Sequence, residues 1–269
     1  MSANTRPRSI HGLRTYKQRG ERFAMVTVYD ALTAAILDEA GIPVLLVGDS
    51  LGMVVMGHPT TVPVTMDDMV HHTAAVRRGA PAALVVADMP FGSFQTDMTT
   101  AKRNATRLLK EGGATAVKIE GGGPMVDLVA DLVRIGIPVM GHLGLTPQSV
   151  NQFGGFRVQG RSDEDAARIT DDIVALEQAG AFTVVLEGVP SGVGRRATEA
   201  VDIPTIGIGA GPDTDGQVLV LPDLLGLTDG PLPRFVKAYV DGRSMIRDAV
   251  KAFQSEVAAG EYPGPEHRY

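Results

Sequence analysis

The sequence predicts a single (β/α)8 barrel, and three observations lead to that prediction. The chain has 269 residues, close to the roughly 250 residues typical of such a barrel. Short apolar runs recur along it, each preceded by a glycine or another small residue and followed by a polar or glycine-rich stop. Helical patterns lie between these runs. Strand and helix therefore alternate, as expected for a parallel sheet closed into a barrel.

The predicted strands are apolar at nearly every position rather than at alternate positions. This pattern indicates strands buried on both faces, as in a parallel sheet. The clear strands lie within 40–50, 79–90, 113–122, 135–144, 180–190 and 202–211, and two weaker ones lie within 23–30 and 216–226. An open doubly wound sheet is the alternative. It should carry a phosphate-binding glycine fingerprint after the first strand, and the sequence VYDALTAAI at 28–36 has none.

The predicted helices have recognisable ends. Thr65 and Asp68 form a candidate capping box. A short extension helix with Ile10 and Leu13 on one face is expected before the barrel. After the barrel, the apolar pattern predicts two further helices within 231–259, divided at Asp241-Gly242 and suited to a subunit interface. The predicted organisation is one domain over 1–269, with a barrel core at about 22–230, C-terminal helices at 231–259 and a tail at 260–269.

Composition excludes several classes of function. A net charge of −6 leaves no broad basic face for nucleic acid. The longest apolar runs, about seven or eight residues, are far shorter than the ~18 needed to suggest a membrane span. The basic first twenty residues lack the apolar stretch of a secretory signal. The absence of cysteine removes disulfides, thiolate zinc sites and cysteine nucleophiles. A soluble, cytoplasmic protein that acts on small molecules is expected.

Polar residues stand where several predicted strands end, and in a barrel the chemistry lies at that end. They are Asp49, Ser50, Asp88, Lys118, Glu120, His142 and Glu187. We expect them to converge on one face. Structural alternatives exist: an Asp can cap the next helix, Lys118 and Glu120 can form an internal salt bridge, and His142 can be a satisfied core histidine. Asp49 and Asp88 are each followed by a predicted loop rather than an obvious helix, which favours a site.

The acidic residues at strand ends are hard oxygen ligands. With no cysteine nearby, Asp49, Asp88 and Glu120 favour Mg²⁺ over zinc or copper. Three carboxylates would over-neutralise a lone Mg²⁺, so some of them are expected to act through water. Lys118 would balance charge, and Glu187 would be a free base whose basicity the apolar strand end raises.

Two other motifs give weaker indications of function. His71 and His72 are adjacent on a predicted helix, point in different directions and are expected at the surface. The glycine-rich segment GIGAG at 207–211 follows the seventh strand, where barrels often bind phosphate. It fits either a backbone anion cradle or a tight turn.

Longer sequence blocks resemble the 3-methyl-2-oxobutanoate (ketopantoate) hydroxymethyltransferases, a family of the phosphoenolpyruvate/pyruvate barrel superfamily. The resemblance runs from about Val26 to Leu227. The blocks are VGDSLGMVVMGHPTTVPVTMDDM (47–69), ADMPFGSF (87–94), AVKIEGG (116–122), GHLGLTPQSVNQFGGFRVQGR (141–161), LEGVP (186–190) and IGIGAGPDTDGQVLV (206–220).

The resemblance implies a reaction and a role for each site residue. The family transfers a hydroxymethyl group from 5,10-methylenetetrahydrofolate to 3-methyl-2-oxobutanoate through a Mg-stabilised enolate, and the product serves pantothenate and coenzyme A synthesis. The metal ligands would be Asp49, Asp88 and Glu120, with one Mg²⁺ per subunit. The oxoacid contacts would be Asp49, Ser50, Asp88, Lys118 and His142. Glu187 would be the proton acceptor.

The resemblance also implies a homo-oligomer, a decamer in this family, and it does not identify the folate pocket. One departure is visible: the family commonly has cysteine after the base, where this chain has Gly188. Three alternative functions stay open. They are a Mg²⁺-dependent carbon–carbon lyase or phosphonomutase, an aldolase that uses Lys118 as a Schiff-base nucleophile, and a barrel that binds a 2-oxoacid without catalysis.

Overall fold

The computed structural model describes residues 9–269. Eight strands close into a barrel in chain order, each parallel to both neighbours, and β1 pairs with β8. The strands are β1 (Phe23–Thr27), β2 (Val44–Val47), β3 (Leu84–Asp88), β4 (Ala116–Glu120), β5 (Val139–Gly144), β6 (Thr183–Glu187), β7 (Thr205–Ile208) and β8 (Gly216–Leu219). The barrel prediction is confirmed, and the open sheet is excluded because the first and last strands are paired.

Helices occupy connections between the strands, and others precede β1 or follow β8. They are α1 (Ile10–Arg19), α2 (Ala31–Glu39), α3 (Leu51–Val54), α4 (Met66–Gly79), α5 (Met98–Lys110), α6 (Val126–Arg134), α7 (Val150–Phe153), α8 (Asp163–Gln178), α9 (Ser191–Glu199), α10 (Leu221–Leu224) and α11 (Gly242–Ala259). Short 3-10 turns lie at Gly123–Met125, Pro147–Ser149 and Pro265–His267. The predicted extension helix is α1. None of the helices in residues 9–269 is long and apolar enough to cross a membrane.

The predicted capping box at the start of α4 is present. The Thr65 hydroxyl accepts a hydrogen bond from the Asp68 N–H, and the Asp68 carboxylate accepts one from the Thr65 N–H. Each side chain therefore satisfies a backbone donor that the first helical turn leaves unpaired.

Two apolar clusters hold the barrel together. The outer cluster lies between strands and helices. The inner cluster takes side chains from all eight strands and from α1, and therefore fills the barrel interior. Its members are Leu13, Tyr16, Phe23, Met25, Val44, Leu46, Leu84, Val86, Ala116, Met140, Val185, Ile206 and Val218. Because residues two apart on a strand face the same side, the next inward positions are Asp88 after Val86 and Lys118 after Ala116. The inner face thus changes from apolar to charged along each of these strands.

The described chain divides into two compact units, one ending at Val220 and one spanning Leu221–Tyr269. The prediction of two C-terminal helices is wrong in part. Residues 231–240 form no helix, and only α11 is present. Pro231 and Pro233 stand close together there, and proline lacks the N–H that a helix interior needs. Asp241, expected to divide two helices, instead begins α11, since its carboxylate accepts a hydrogen bond from the Ser244 N–H. That all 269 residues act as one domain stays a prediction.

Candidate active site

The predicted polar residues converge on one cavity at the C-terminal ends of the strands, as expected. The cavity has a volume of about 200 Å³. Asp49, Ser50, Asp88, Lys118, Glu120, His142 and Glu187 all line it. Apolar side chains, among them Val54, Phe156 and Val185, complete its walls. The result is a small pocket with both charged and apolar walls, which is the usual character of a site for a small polar molecule.

The pairing register of the strands sets which site residues are neighbours. Lys118 of β4 pairs with Asp88 of β3, and Glu120 pairs with His142 of β5. Lys118 Nζ accordingly lies 3.1 Å from Asp88 Oδ1 and 3.9 Å from Glu120 Oε1. The internal salt bridge considered above for Lys118 and Glu120 is therefore present, and Lys118 lies closer still to Asp88. It is part of the cavity wall, so the structural and functional interpretations of this lysine are compatible.

Asp49 and Asp88 are brought together through the backbone. The Asp49 N–H donates a hydrogen bond of 3.0 Å to Asp88 Oδ2. Gly48 permits this approach, because a Cβ there would stand 2.8 Å from Ser50 Oγ and 3.5 Å from Asp88 Oδ2. The loop predicted after Asp49 is wrong: the short helix α3 follows, and Ser50 occupies its N-cap position without a capping hydrogen bond from its side chain. Leu51, at the start of α3, is fully buried, and its packing holds this short helix in place.

The charges of the cavity are unbalanced. Burial, together with neighbouring acids, raises the pKa of Asp49. Burial also raises the pKa of Asp88, against the opposing effect of Lys118. The three carboxylates outweigh the effect of burial on Lys118 and raise the pKa of its ammonium. The pKa of Glu120 is lowered, because hydrogen bonding to His142 and the charges of His142 and Lys118 overcome burial. Three buried carboxylates thus surround one permanent cation.

His142 connects two parts of this cluster. Its Nδ1 lies 3.0 Å from Lys118 Nζ and 3.3 Å from Glu120 Oε1, and its Nε2 lies 3.2 Å from Glu187 Oε2. A neutral ring can accept at Nδ1 from the ammonium, whereas a protonated ring donates to Glu120 instead. Burial and Lys118 act to lower the pKa of His142, but hydrogen bonds to Glu120 and Glu187 prevail and raise it. The ring therefore bridges the charge cluster and Glu187.

The residues suit an oxygen-ligated divalent cation bound at an open site. Asp88 Oδ1 is buried and has no hydrogen bond of good geometry, although Lys118 is near. The excess of negative charge also favours a second cation. In residues 9–269, no group of three or more His, Asp or Glu side chains is already arranged to hold a metal. Asp49 and Asp88 are carboxylates of the cavity wall that could contribute ligands to such a cation.

Two residues of the site were not among the predicted ones. Gln148 is buried and contacts both Asp49 and Glu120. The Tyr29 hydroxyl donates to Thr27 Oγ1 at 2.8 Å and lies 2.9 Å from Ser50 Oγ. Both are uncharged polar residues that follow a strand end, a position that many loop residues share. Because neither carries a charge, the pattern of charged residues at strand ends did not distinguish them.

The structure gives the surroundings of the two weaker motifs. His71 is exposed as predicted, but the His72 prediction is wrong in part: the ring is half-buried, with Nδ1 2.6 Å from the Tyr29 carbonyl oxygen. Ala210, in the GIGAG segment, is buried and lies so close to Gly194 of α9 that a Cβ on Gly194 would stand 2.3 Å from the Ala210 carbonyl oxygen. Gly207 and Ile208 belong to β7, and Gly209 and Gly211 have φ values of 64° and 84°. The choice between an anion cradle and a tight turn stays open.

Gly188, where the resemblance leads us to expect cysteine, has a φ of 54° in the left-handed region. A Cβ there would stand 3.1 Å from Leu145 Cβ. Glycine is suited to this position because it adopts such a φ without strain.

Solved structures resemble this chain in fold. Phosphoenolpyruvate phosphomutase from Streptomyces platensis subsp. rosaceus matches with a TM-score of 0.62 at 13% identity, over 94% of this chain and 88% of that chain. A phosphonopyruvate hydrolase complex with oxalate and Mg²⁺ matches with a TM-score of 0.59 at 12% identity, over 96% and 92% of the two chains. At such low identity these likenesses show a common fold and nothing more.

Sequence relatives are much closer. The 3-methyl-2-oxobutanoate hydroxymethyltransferase of Thermobifida fusca (strain YX) is 56% identical, over 100% of this chain and 95% of that protein. The protein of the same name from Moorella thermoacetica is also 56% identical, over 96% of each chain. The family model for ketopantoate hydroxymethyltransferase matches residues 8–265. The resemblance in the sequence blocks is thereby confirmed, and this chain belongs to the ketopantoate hydroxymethyltransferase family.

Proposed function

We propose that this chain transfers a hydroxymethyl group to 3-methyl-2-oxobutanoate and forms 2-dehydropantoate (ketopantoate). Its relatives are named for that activity, and membership of the family supports the same substrate here. The observation that carries the proposal is the single cavity where buried carboxylates, the Lys118 ammonium and Glu187 meet. A volume of about 200 Å³ suits a small 2-oxoacid. The donor would be 5,10-methylenetetrahydrofolate, with water supplying the hydroxyl oxygen, and the product would serve pantothenate and coenzyme A synthesis.

Asp49 and Asp88 are the residues that would hold one Mg²⁺ per subunit. Glu120 would be the third carboxylate of the site, bound to the metal directly or through water. When bound, Mg²⁺ would supply Lewis acidity toward the carboxylate and keto oxygens of the substrate and make its C3–H more acidic. The same two aspartates form the excess of negative charge in the cavity, so metal binding and relief of their mutual repulsion are linked.

Lys118, Ser50 and His142 would bind and orient the oxoacid, together with the two aspartates. Lys118 is buried and cationic, so it can stabilise negative charge that develops on the keto oxygen during the reaction. The Ser50 hydroxyl is held by Tyr29 at 2.9 Å, which fixes it at the cavity wall. These groups recognise an anion that has a carbonyl group next to its carboxylate.

Glu187 would be the base that starts the reaction. It would take the proton from C3, and the electron pair would move into the C2–C3 bond, giving an enolate with its charge on the keto oxygen near Lys118. C3 would then bond to the methylene carbon of the donor as one of the two carbon–nitrogen bonds of that carbon breaks. Water would displace the second nitrogen and supply the hydroxyl group, so that tetrahydrofolate leaves. The Glu187 side chain is 18% exposed in the cavity, and its Oε2 lies 3.2 Å from His142 Nε2. This contact lies within ion-pair distance, but His142 Nε2 has no hydrogen bond of good geometry.

The Schiff-base alternative is disfavoured by the state of Lys118. A nucleophilic lysine must be neutral to attack a carbonyl carbon. Here the surrounding carboxylates raise the pKa of Lys118, and Asp88 Oδ1 lies 3.1 Å from its Nζ. The amine is therefore held as ammonium, which suits binding and charge stabilisation.

The direct test is an assay of the purified protein for ketopantoate, with both substrates and with or without Mg²⁺. We expect product only with both substrates, and loss of activity after treatment with a chelator, restored by added Mg²⁺. Absence of ketopantoate under every condition, from protein with an intact fold, would contradict the proposal. Full activity in the presence of chelator, with trapping of substrate on Lys118 by borohydride, would support the Schiff-base route instead.

We also propose that the protein is cytoplasmic and forms a homo-oligomer, a decamer as the family resemblance implies. Support for association comes from α11, which carries large exposed apolar side chains and no buried residue. They are Met245, Ile246, Val250, Phe253 and Val257. Light scattering coupled to size-exclusion chromatography would measure the number of subunits, and a monomer would contradict this part of the proposal.

A further inference from the structure

Gln148 is the uncharged side chain most closely tied to the acidic cluster. It lies in the 3-10 turn Pro147–Ser149, shortly after β5. Only 5% of the residue is exposed. A buried amide is costly unless its donors and acceptor are satisfied. The hydrogen-bond partners of Gln148 therefore indicate the role of this turn.

Its hydrogen bonds reach both sides of the cluster. Nε2 donates to Asp49 Oδ2 at 2.8 Å and to the Met89 carbonyl oxygen at 2.9 Å. The backbone N–H of Gln148 donates to Glu120 Oε2 at 3.0 Å. One residue thus joins the ends of β2, β3 and β4, and it contacts two of the three carboxylates proposed as the metal site.

The orientation of the amide follows from these contacts. Both protons of Nε2 are used by acceptors, and Oε1 accepts from Gln95 Nε2 at 3.1 Å. With the amide flipped, its oxygen would face the Met89 carbonyl oxygen, which only accepts, and its NH₂ group would face the Gln95 donor. The network therefore permits one orientation. Such an amide holds the Asp49 carboxylate in a single position.

We infer that Gln148 is a positioning residue for the metal site, because its amide orients Asp49 and its backbone N–H orients Glu120. The inference rests on the proposed function, since it requires that these carboxylates bind a divalent cation. A residue that forms a hydrogen bond to a metal ligand, without contacting the metal, typically contributes about 10–100-fold to metal affinity. Gln148 is uncharged, so it holds the carboxylates without competing with a metal for their charge.

Gln95 extends this network outward. It is exposed in the segment that follows β3, and its Oε1 accepts from the Gly92 N–H at 2.8 Å. Its Nε2 holds the Gln148 oxygen. Gln95 therefore supports Gln148 from outside, and removing its amide should loosen the network without disturbing the buried residues.

The experiment measures Mn²⁺ binding, by the electron paramagnetic resonance signal of free Mn²⁺, to the full-length protein and to Gln148→Met. Methionine is close to glutamine in volume and lacks the amide donors, while the backbone N–H to Glu120 remains. The matched control is Gln152→Met, the same change at an exposed position of the neighbouring helix α7. A second readout is exchange of the C3 proton of 3-methyl-2-oxobutanoate with solvent, followed at increasing Mn²⁺.

We expect Gln148→Met to weaken Mn²⁺ binding by about 10–100-fold, with Gln152→Met unchanged. Saturating Mn²⁺ should restore most of the exchange rate, because the ligands and the base remain. A purely structural role would instead lower the melting temperature and leave the Mn²⁺ affinity of the folded fraction unchanged. Affinity within about twofold of the unmodified protein would overturn the inference.

Gln95→Met tests the same inference if Gln148→Met does not fold. We expect Gln95→Met to weaken Mn²⁺ binding by a few-fold, below the roughly 10–100-fold range of a direct outer partner. If Gln148→Met cannot be measured, unchanged affinity in Gln95→Met overturns the inference. If the unmodified protein itself does not bind Mn²⁺, the proposed metal site fails, and the inference fails with it. Normal binding by the unmodified protein and by both variants rejects only the role of Gln148.

Discussion

The two ends of the barrel interior are made by the same strands and carry opposite kinds of side chain. At the N-terminal end, Phe23, Met25 and Leu84 pack with Leu13 of α1 and exclude water. At the C-terminal end, two inward positions further along β3, Asp88 begins a layer of buried charge. The inward face of one barrel strand can therefore contribute both to stability and to chemistry, because its apolar and charged side chains lie in successive layers of the barrel interior.

The apolar end also shapes the chemistry at the charged end. Each fully buried Val, Leu, Ile, Phe or Met side chain stabilises the fold by roughly 1.5–3 kcal/mol. Burying a charged group costs several kcal/mol even after relaxation. The apolar layers offset that cost, and they keep water from the floor of the cavity, so that charges there interact more strongly than they would in water. Substitutions at the two ends should therefore affect different measurements.

The largest effect is expected at the charged end. Glu187→Gln should slow exchange of the C3 proton of 3-methyl-2-oxobutanoate by about 10²–10⁴-fold, the usual contribution of a general base. Binding of Mg²⁺ and of the oxoacid should persist, because the metal ligands and Lys118 are unchanged. Exchange is followed by proton NMR in deuterium oxide. The control is Glu199→Gln on the exposed end of α9, and exchange retained in Glu187→Gln would assign the base to another residue.

At the apolar end, Leu13→Ala should lower the free energy of unfolding by about 2–5 kcal/mol, because it opens a cavity where the side chain is fully buried. The exchange rate per folded molecule should not change. Urea unfolding measures the first quantity and NMR the second. Leu32, 78% exposed, provides the control: Leu32→Ala should change stability by less than about 0.5 kcal/mol. A slower exchange rate in folded Leu13→Ala would show that the two ends are not separable.

Asp88→Ala should weaken Mg²⁺ binding by roughly a hundredfold or more, since a direct ligand should matter at least as much as an outer partner. Isothermal titration calorimetry measures the affinity. Asp127→Ala, at an exposed position of α6, should bind Mg²⁺ normally. An unchanged affinity in Asp88→Ala would remove this residue from the metal ligands and leave it as the partner of Lys118.

The smallest effect is expected away from the barrel interior, at the capping box of α4. Thr65→Ala should lower the free energy of unfolding by about 1 kcal/mol at neutral pH. The hydrogen bond from the Thr65 side chain lowers the pKa of Asp68. A lowered folded-state pKa stabilises the fold above the ordinary pKa of Asp, and this contribution is lost as pH falls through the folded-state value. The difference between the two proteins in urea unfolding should therefore shrink in acid, and a constant difference would argue against the ionic part of this cap.

The sequence predicted the strands and the charged residues because both leave strong local signals. A strand buried on both faces is apolar along its length, and a charge at its end stands out against that background. Gln148 and Tyr29 left no such signal, since an uncharged polar residue after a strand is common in any loop. Their roles depend on partners distant in the chain, such as Asp49 for Gln148.

The structure of the C-terminal segment also could not be predicted fully from the sequence pattern. An apolar pattern in 231–259 was compatible with two helices, but only the region after Asp241 forms one. The short helix α3 was also missed, because it is a single turn that packing of Leu51 holds in place. Neither feature is visible from periodicity alone.

By itself, the sequence determined the barrel, its eight strands, and the identity of the charged residues at the strand ends, because hydrophobic patterning acts locally along the chain. Only the tertiary structure decided which charges are neighbours. The strand register places Lys118 against Asp88 and Glu120 against His142, and the turn after β5 brings Gln148 between Asp49 and Glu120. The physical reason is that register and loop packing depend on the whole closed sheet, in which each strand is fixed by both of its neighbours.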